Sequence, residues 1–116
     1  GWTYSDRRWQ GFIDKDRMDV VIDLQKTEKI SSVVADFMQV VGADVYTPAI
    51  IEVEVSDNGT DFSKVAAEEW KVDKGVPFGV QRFEWKGSAN ARYVRLKANC
   101  KSDIGGWIFT DEIVVK

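Results

Sequence analysis

The chain has 116 residues, 16 basic and 19 acidic, for a formal net charge of −3. It contains no histidine and a single cysteine, Cys100, which excludes Ser-His-Asp triads, histidine general bases, histidine-ligated zinc and internal disulfides. A hydrophobic content of 44% beside 30% charged residues suits one globular domain, and the acidic balance argues against a nucleic-acid partner.

No apolar run approaches the ~20 residues that span a bilayer, so membrane insertion is not expected. The sequence opens Gly1-Trp2, without a methionine or the apolar core of a signal peptide. That is the start expected of a domain excised from a longer chain.

In chain order, Trp2, Tyr4, Trp9 and Phe12 crowd the first dozen residues, ahead of any clear strand. In Asp19 to Leu24, Val20, Ile22 and Leu24 share one face, with Val21 and Asp23 opposite. Ile30 to Val41 fits a helix face through Ile30, Val33 and Phe37 and a strand face through Val33, Ala35 and Phe37. Its β-branched content and missing caps favour the strand.

Ile51-Glu52-Val53-Glu54-Val55 is the cleanest alternation, with both glutamates facing out. Asp57-Asn58-Gly59 then tolerates a left-handed backbone and Phe62 to Val65 follows at once, which predicts a β-hairpin. Phe83 and Trp85, then Val94, Leu96 and Ala98, then Ile113 and Val115 mark three further short strands. About seven strands at this spacing predict an all-β, antiparallel sandwich of two sheets. Its expected core is Ile22, Leu24, Phe37, Ile51, Val53, Val55, Phe83, Val94, Leu96 and Ile113.

Many aromatic residues fall outside these strands. Tyr46 lies in the Gly42 to Pro48 connection, Phe78 follows Gly75-Val76-Pro77, and Trp107 and Phe109 follow Gly105-Gly106. Rings on loops either cap a core or meet a ligand. Aromatic faces match the C–H faces of sugars, while neighbouring Arg, Asn and Asp side chains can bond the hydroxyls. Trp9 and Phe109 adjoin strand-like runs and fit the core-capping role. The candidate carbohydrate-binding residues are Trp2, Tyr4, Arg7, Tyr46, Asn99 and Trp107.

Four strings in order resemble the discoidin domain, also called the coagulation factor V/VIII type C domain. They are Arg8 to Phe12 with Val21 to Leu24, then Glu54 to Gly59 with Phe62, then Ala91 to Leu96, and the closing Gly105 to Ile113. The closing string, with Phe37-Met38-Gln39, is similar to the C-terminal module of bacterial chitobiases and β-hexosaminidases of glycoside hydrolase family 20. The resemblance implies a jelly-roll sandwich of the galactose-binding-domain type. Because the group includes carbohydrate-binding module family 32, it also implies glycan binding by loops at one end.

Relatives begin with a further strand and an Asp-Gly loop ahead of the first tryptophan, so an N-terminal strand is expected to be missing here. The resemblance places a structural Ca²⁺ at that loop and at the last-strand position matched by Glu112. Calcium takes six to eight oxygens, more than one carboxylate supplies. The other reading of Glu112 is a carboxylate paired with a lysine or arginine. Galactose-binding relatives use a loop histidine and an arginine, and neither occurs in Val40 to Pro48. Arg7 or Arg8 would substitute only if the opening segment folds over the same end.

Residues 1–116 are thus expected to form a single discoidin-like carbohydrate-binding module, a fragment of a larger enzyme. The expected role is non-catalytic: holding a bacterial β-hexosaminidase or chitobiase near glycans that contain N-acetylhexosamine. The expected partners are a glycan and the catalytic domain of the same parent chain, with the module itself a monomer. The expected place is the periplasm, the cell surface or the medium. The alternative is a structural domain that packs on the catalytic domain and binds no sugar. Catalysis would fall to a carboxylate pair such as Glu52 and Glu54, whose outward positions on a regular strand argue for simple solvation instead. Cys100 reads as a buried or half-buried thiol at a strand end.

Overall fold

The computed structural model describes residues 2–3, 9–13, 17–43, 45, 47–71, 75, 77–100, 108 and 110–116. Side chains are described for these residues except 2–3, 9–13, 43, 111 and 112. The described strands are β1 (Trp2–Thr3), β2 (Trp9–Ile13), β3 (Arg17–Val40), β4 (Ile50–Ser56), β5 (Ser63–Glu69), β6 (Phe78–Asn99) and β7 (Thr110–Val115). A 3-10 turn covers Val41–Ala43. Every pairing among the described strands is antiparallel, along the path β1-β7-β3-β6-β4-β5, with β2 beside β3.

Two of these strands are very long, with 24 residues in β3 and 22 in β6. At ~3.3 Å per residue a straight β3 would run about 80 Å, yet the longest dimension of the domain is 42 Å. Both strands therefore double over. Their mutual register breaks between Ile30 and Ser32 and between Asp23 and Glu28, and the fold line lies at the latter. There Gln25 takes the left-handed backbone, at φ 74°, and its amide donates to Asp23 Oδ1 at 2.7 Å.

The fold line divides the path into two layers. The first contains β2, residues 17–24 of β3, residues 93–99 of β6, β4 and β5. The second contains residues 78–91 of β6, residues 28–40 of β3, β7 and β1. Val20, Ile22, Ile51, Val53, Val94 and Leu96 of the first layer share one core with Val33, Ala35, Phe37, Phe83, Ile113 and Val115 of the second. The result is the antiparallel β-sandwich of two layers that the alternation predicts.

Nine of the ten expected core residues are buried, and Val55 is half-buried against the core. The strand boundaries need correction. Asp19 to Leu24 and Ile30 to Val40 are one continuous strand, as are the Phe83 and Val94 segments. The polar run between the first two bends the chain, and the ladder with β6 breaks there and resumes at Glu28. The opening dozen residues do contain strands: Trp2 pairs with Val115, and Trp9–Ile13 pairs with Met18–Ile22. Phe78 opens β6 rather than lying in a loop.

The outer face of the first sheet is a lattice of paired charges. Arg95 grips Asp19 with Nε at 2.8 Å and Nη2 at 2.5 Å, approaches Glu54 at 3.7 Å, and lies over the Phe62 ring. Lys97 reaches Glu54 at 3.5 Å, and Lys64 pairs with Glu52. The two outward glutamates are thus held by cross-strand cations rather than simply solvated.

Candidate functional site

The strand register sorts the connections by end. At one end lie the fold line and the 57–62 turn between β4 and β5. The other end gathers the start of β4, the end of β5 and both ends of the long strands. There Ala49 N donates to the Asn99 carbonyl at 2.8 Å and Trp70 N donates to the Ala49 carbonyl at 2.7 Å. Val41 N donates to the Pro77 carbonyl at 3.0 Å, and Val40 bridges Val45. Thr47, buried, directs its hydroxyl to Gln39 Oε1 at 3.4 Å. The Phe37 and Trp70 rings meet edge to face at 5.9 Å, tying the two layers together at this end.

Asn99, a sequence candidate, is the last residue of β6 and is exposed at this end. It stands in register with Arg17 on one side and Ile50 on the other, and Ile50 with Glu69. Directly opposed residues share a sheet face. Arg17, Asn99, Ile50 and Glu69 therefore form one exposed row four strands wide: a cation, an amide, an apolar side chain and a carboxylate. At ~4.8 Å per strand the row is about 14 Å long.

The other candidates are less fully placed. Tyr46 and Trp107 lie outside the described residues. Their described neighbours Val45, Thr47 and Ile108 belong to the connections of this end. Trp2 is on β1, its backbone opposite Val115 at the far edge of the second sheet, away from Asn99. Tyr4 and Arg7 lie outside the described residues, as do the family string 105–107 and Phe109.

Trp70 joins this end although the sequence did not point to it. It follows the polar strand Ser63–Glu69 without an aromatic neighbour, so no local pattern marks it. Its indole N–H donates to Glu68 Oε1 at 2.8 Å.

The metal expectation falls on Glu112, whose side chain lies outside the described residues. The backbone of Glu112 opposes Asp36, whose carboxylate is already bound by Arg82 at 2.9 and 3.2 Å. Among the described residues no group of three or more Asp, Glu, Cys or His side chains is placed to hold an ion.

A shallow groove of about 220 Å³ crosses the outer face of the second sheet, lined by Val34, Asp36, Arg82, Glu84, Val114 and Lys116. None of the sequence candidates lines it, and the Asp36–Arg82 pair forms part of its lining.

A family model described as the F5/8 type C domain matches residues 3–113. The chain belongs to this family. No curated protein matches it. Solved structures do, at low identity. The F5/8 type C domain described here is similar to CpGH89CBM32-5 from Clostridium perfringens, in complex with GalNAc-β-1,3-galactose (TM-score 0.60, 17% identity, 98% of this chain and 73% of that one). It is similar to chitosan-binding module 2 of a chitosanase/glucanase from Paenibacillus sp. IK-5, in complex with chitotriose (TM-score 0.59, 18% identity, 84% and 68%). It is also similar to the C-terminal domain of a chitobiase from Bacteroides fragilis (TM-score 0.55, 15% identity, 89% and 64%). At these identities the likenesses establish the fold.

Proposed function

We propose that this F5/8 type C domain is a non-catalytic carbohydrate-binding module. It holds a β-hexosaminidase or chitobiase, outside the cytoplasm, near glycans that contain N-acetylhexosamine. The observation that carries this reading is the exposed row of Arg17, Asn99, Ile50 and Glu69, at the end that also holds Thr47, Gln39 and Trp70. A sugar offers hydroxyls and C–H faces together, and the row offers donors, acceptors and an apolar side chain together. The sugars bound by the similar modules point the same way. Tethering raises the effective concentration of substrate around a catalytic domain even when each sugar contact is weak.

The charge lattice argues against catalysis by Glu52 and Glu54. A glycosidase acid needs a raised pKa. The hydrogen bond from Lys64 instead holds the Glu52 carboxyl below its usual value, and Glu54 sits between Arg95 and Lys97.

The test is titration with N-acetylglucosamine, chitobiose, N-acetylgalactosamine and galactose, followed by amide shifts. Shifts at Asn99 and Ile50 are expected, and Asn99→Ala should weaken them by about five- to tenfold, the worth of one hydrogen bond. Trp107→Ala should abolish them while leaving the fold intact. No shift with any sugar at tens of millimolar would overturn the proposal. It would leave the alternative of a packing domain, which the exposed apolar side chains of β6 favour.

A further inference from the structure

Among the described residues, Phe78 (64% exposed), Val80 (60%) and Ile50 (39%) are the exposed large hydrophobic side chains. Phe78 and Val80 lie on β6, in register with Val40 and Met38 on the outer face of the second sheet. Those four side chains are all apolar and carry no hydroxyl, amide or charge. A sugar would find no hydrogen bonds there, so the patch calls for a protein.

The strand that carries it is also an edge. Residues 78–91 of β6 pair with β3 on one side. β4 meets β6 only from Tyr93 onward, so no described strand pairs with the other side of 78–91. An exposed edge of this kind is a template for one more strand.

The charges identify the strand that fits. When β6 pairs antiparallel with a second β6, directly opposed residues share a face, so outward-facing Val80, Arg82, Glu84 and Lys86 must meet outward-facing residues. Centred on Arg82, the register sets arginine against arginine. Centred on Glu84, it sets glutamate against glutamate and Arg82 against Lys86. Centred on Trp85, it sets Glu84 against Lys86 twice, but its wider pairs fall across the register shift of β6 between Lys86 and Ala89. Centred on Phe83, it sets Arg82 against Glu84 twice, once in each direction. That register also seats Phe78 and Val80 against Ser88 and the Lys86 stem, and each Arg82 keeps its own Asp36. We propose that this edge is a homodimer interface in which two copies of β6 pair antiparallel about Phe83, joining the second sheets into one continuous sheet.

The test is sedimentation of the chain over a range of concentrations, with two single charge reversals. The parent should show a concentration-dependent dimer. Glu84→Arg and Arg82→Glu should each raise the dissociation constant about tenfold or more, because two attractive pairs become repulsive. Mixed one to one, the two variants should associate again, since each then opposes its complement. Circular dichroism confirms that both remain folded. A parent that stays monomeric at every concentration overturns the proposal, as does a mixture that associates no better than either variant alone.

Discussion

Arg92 closes a bidentate pair on Asp23, with Nε at 2.8 Å and Nη2 at 2.9 Å, across 69 residues of sequence. The pair sits on the line where β3 and β6 fold from one sheet into the other. The same carboxylate caps the Gln25 amide, at the one non-glycine residue with positive φ among those described. A single side chain thus joins the local bend of β3 to its neighbour β6.

Asp23→Ala removes the acceptor for Gln25 and should cost about 1 kcal/mol for that bond alone. Asp23→Asn keeps an oxygen for Gln25 but loses the charge, and should cost less. Urea unfolding of the three proteins side by side checks this order. Equal loss in both variants would assign the whole effect to Arg92.

Stability should fall on acidification. The hydrogen bond from Arg95 holds the Asp19 carboxyl below its ordinary value of 3.8, and that from Lys64 holds Glu52 below 4.5. A carboxylate whose pKa is depressed by folding contributes its stabilisation above its unfolded pKa and loses it as the pH drops through the folded one. The urea midpoint should therefore be flat near neutrality and decline as the pH falls below those two values. Arg95→Met should lower the plateau and flatten the decline, and midpoints across the acid range measure both.

Two glycines resist substitution for different reasons. Gly59 has φ 78°, and a Cβ there would stand 3.1 Å from the Tyr93 ring. Gly59→Ala should cost about 1–2 kcal/mol from the left-handed backbone alone. Gly87 is covered by the Trp85 indole, and a Cβ there would stand 2.5 Å from it. Gly87→Ala must displace that ring, which should appear as a change in near-ultraviolet circular dichroism. An unchanged spectrum would remove Trp85 from Gly87.

Phe37 is fully buried and supports Trp70 edge to face. Phe37→Ala should destabilise by about 3–5 kcal/mol. The Trp70 indole amide should lose protection from hydrogen exchange at the same time. Destabilisation without that loss would show that Glu68 alone holds the indole.

The alternation of Ile51 to Val55 and of Val94 to Ala98 identified the core faces because period 2 translates directly into one side of a sheet. Gln25-Lys26-Thr27 was opaque for the opposite reason. A polar run between two apolar stretches resembles a loop, and the left-handed turn at Gln25 has no glycine to announce it. The pairings of Asp19 with Arg95 and Asp23 with Arg92 were invisible because they depend on register between distant strands. Of the candidate site, Asn99 was legible from its polar string after a regular strand. Arg17, Ile50 and Glu69 acquire meaning only when three neighbouring strands bring them into its row.

The doubling of β3 and β6 also governs where the chain tolerates a break. Two strands run unbroken from one layer into the other, so the layers cannot part like the covers of a book. A nick within 57–62 opens a surface turn and spares both through-strands. A nick at 24–27 releases the bend that holds the layers face to face. Neither sheet is accordingly a unit that could hold its shape without the other.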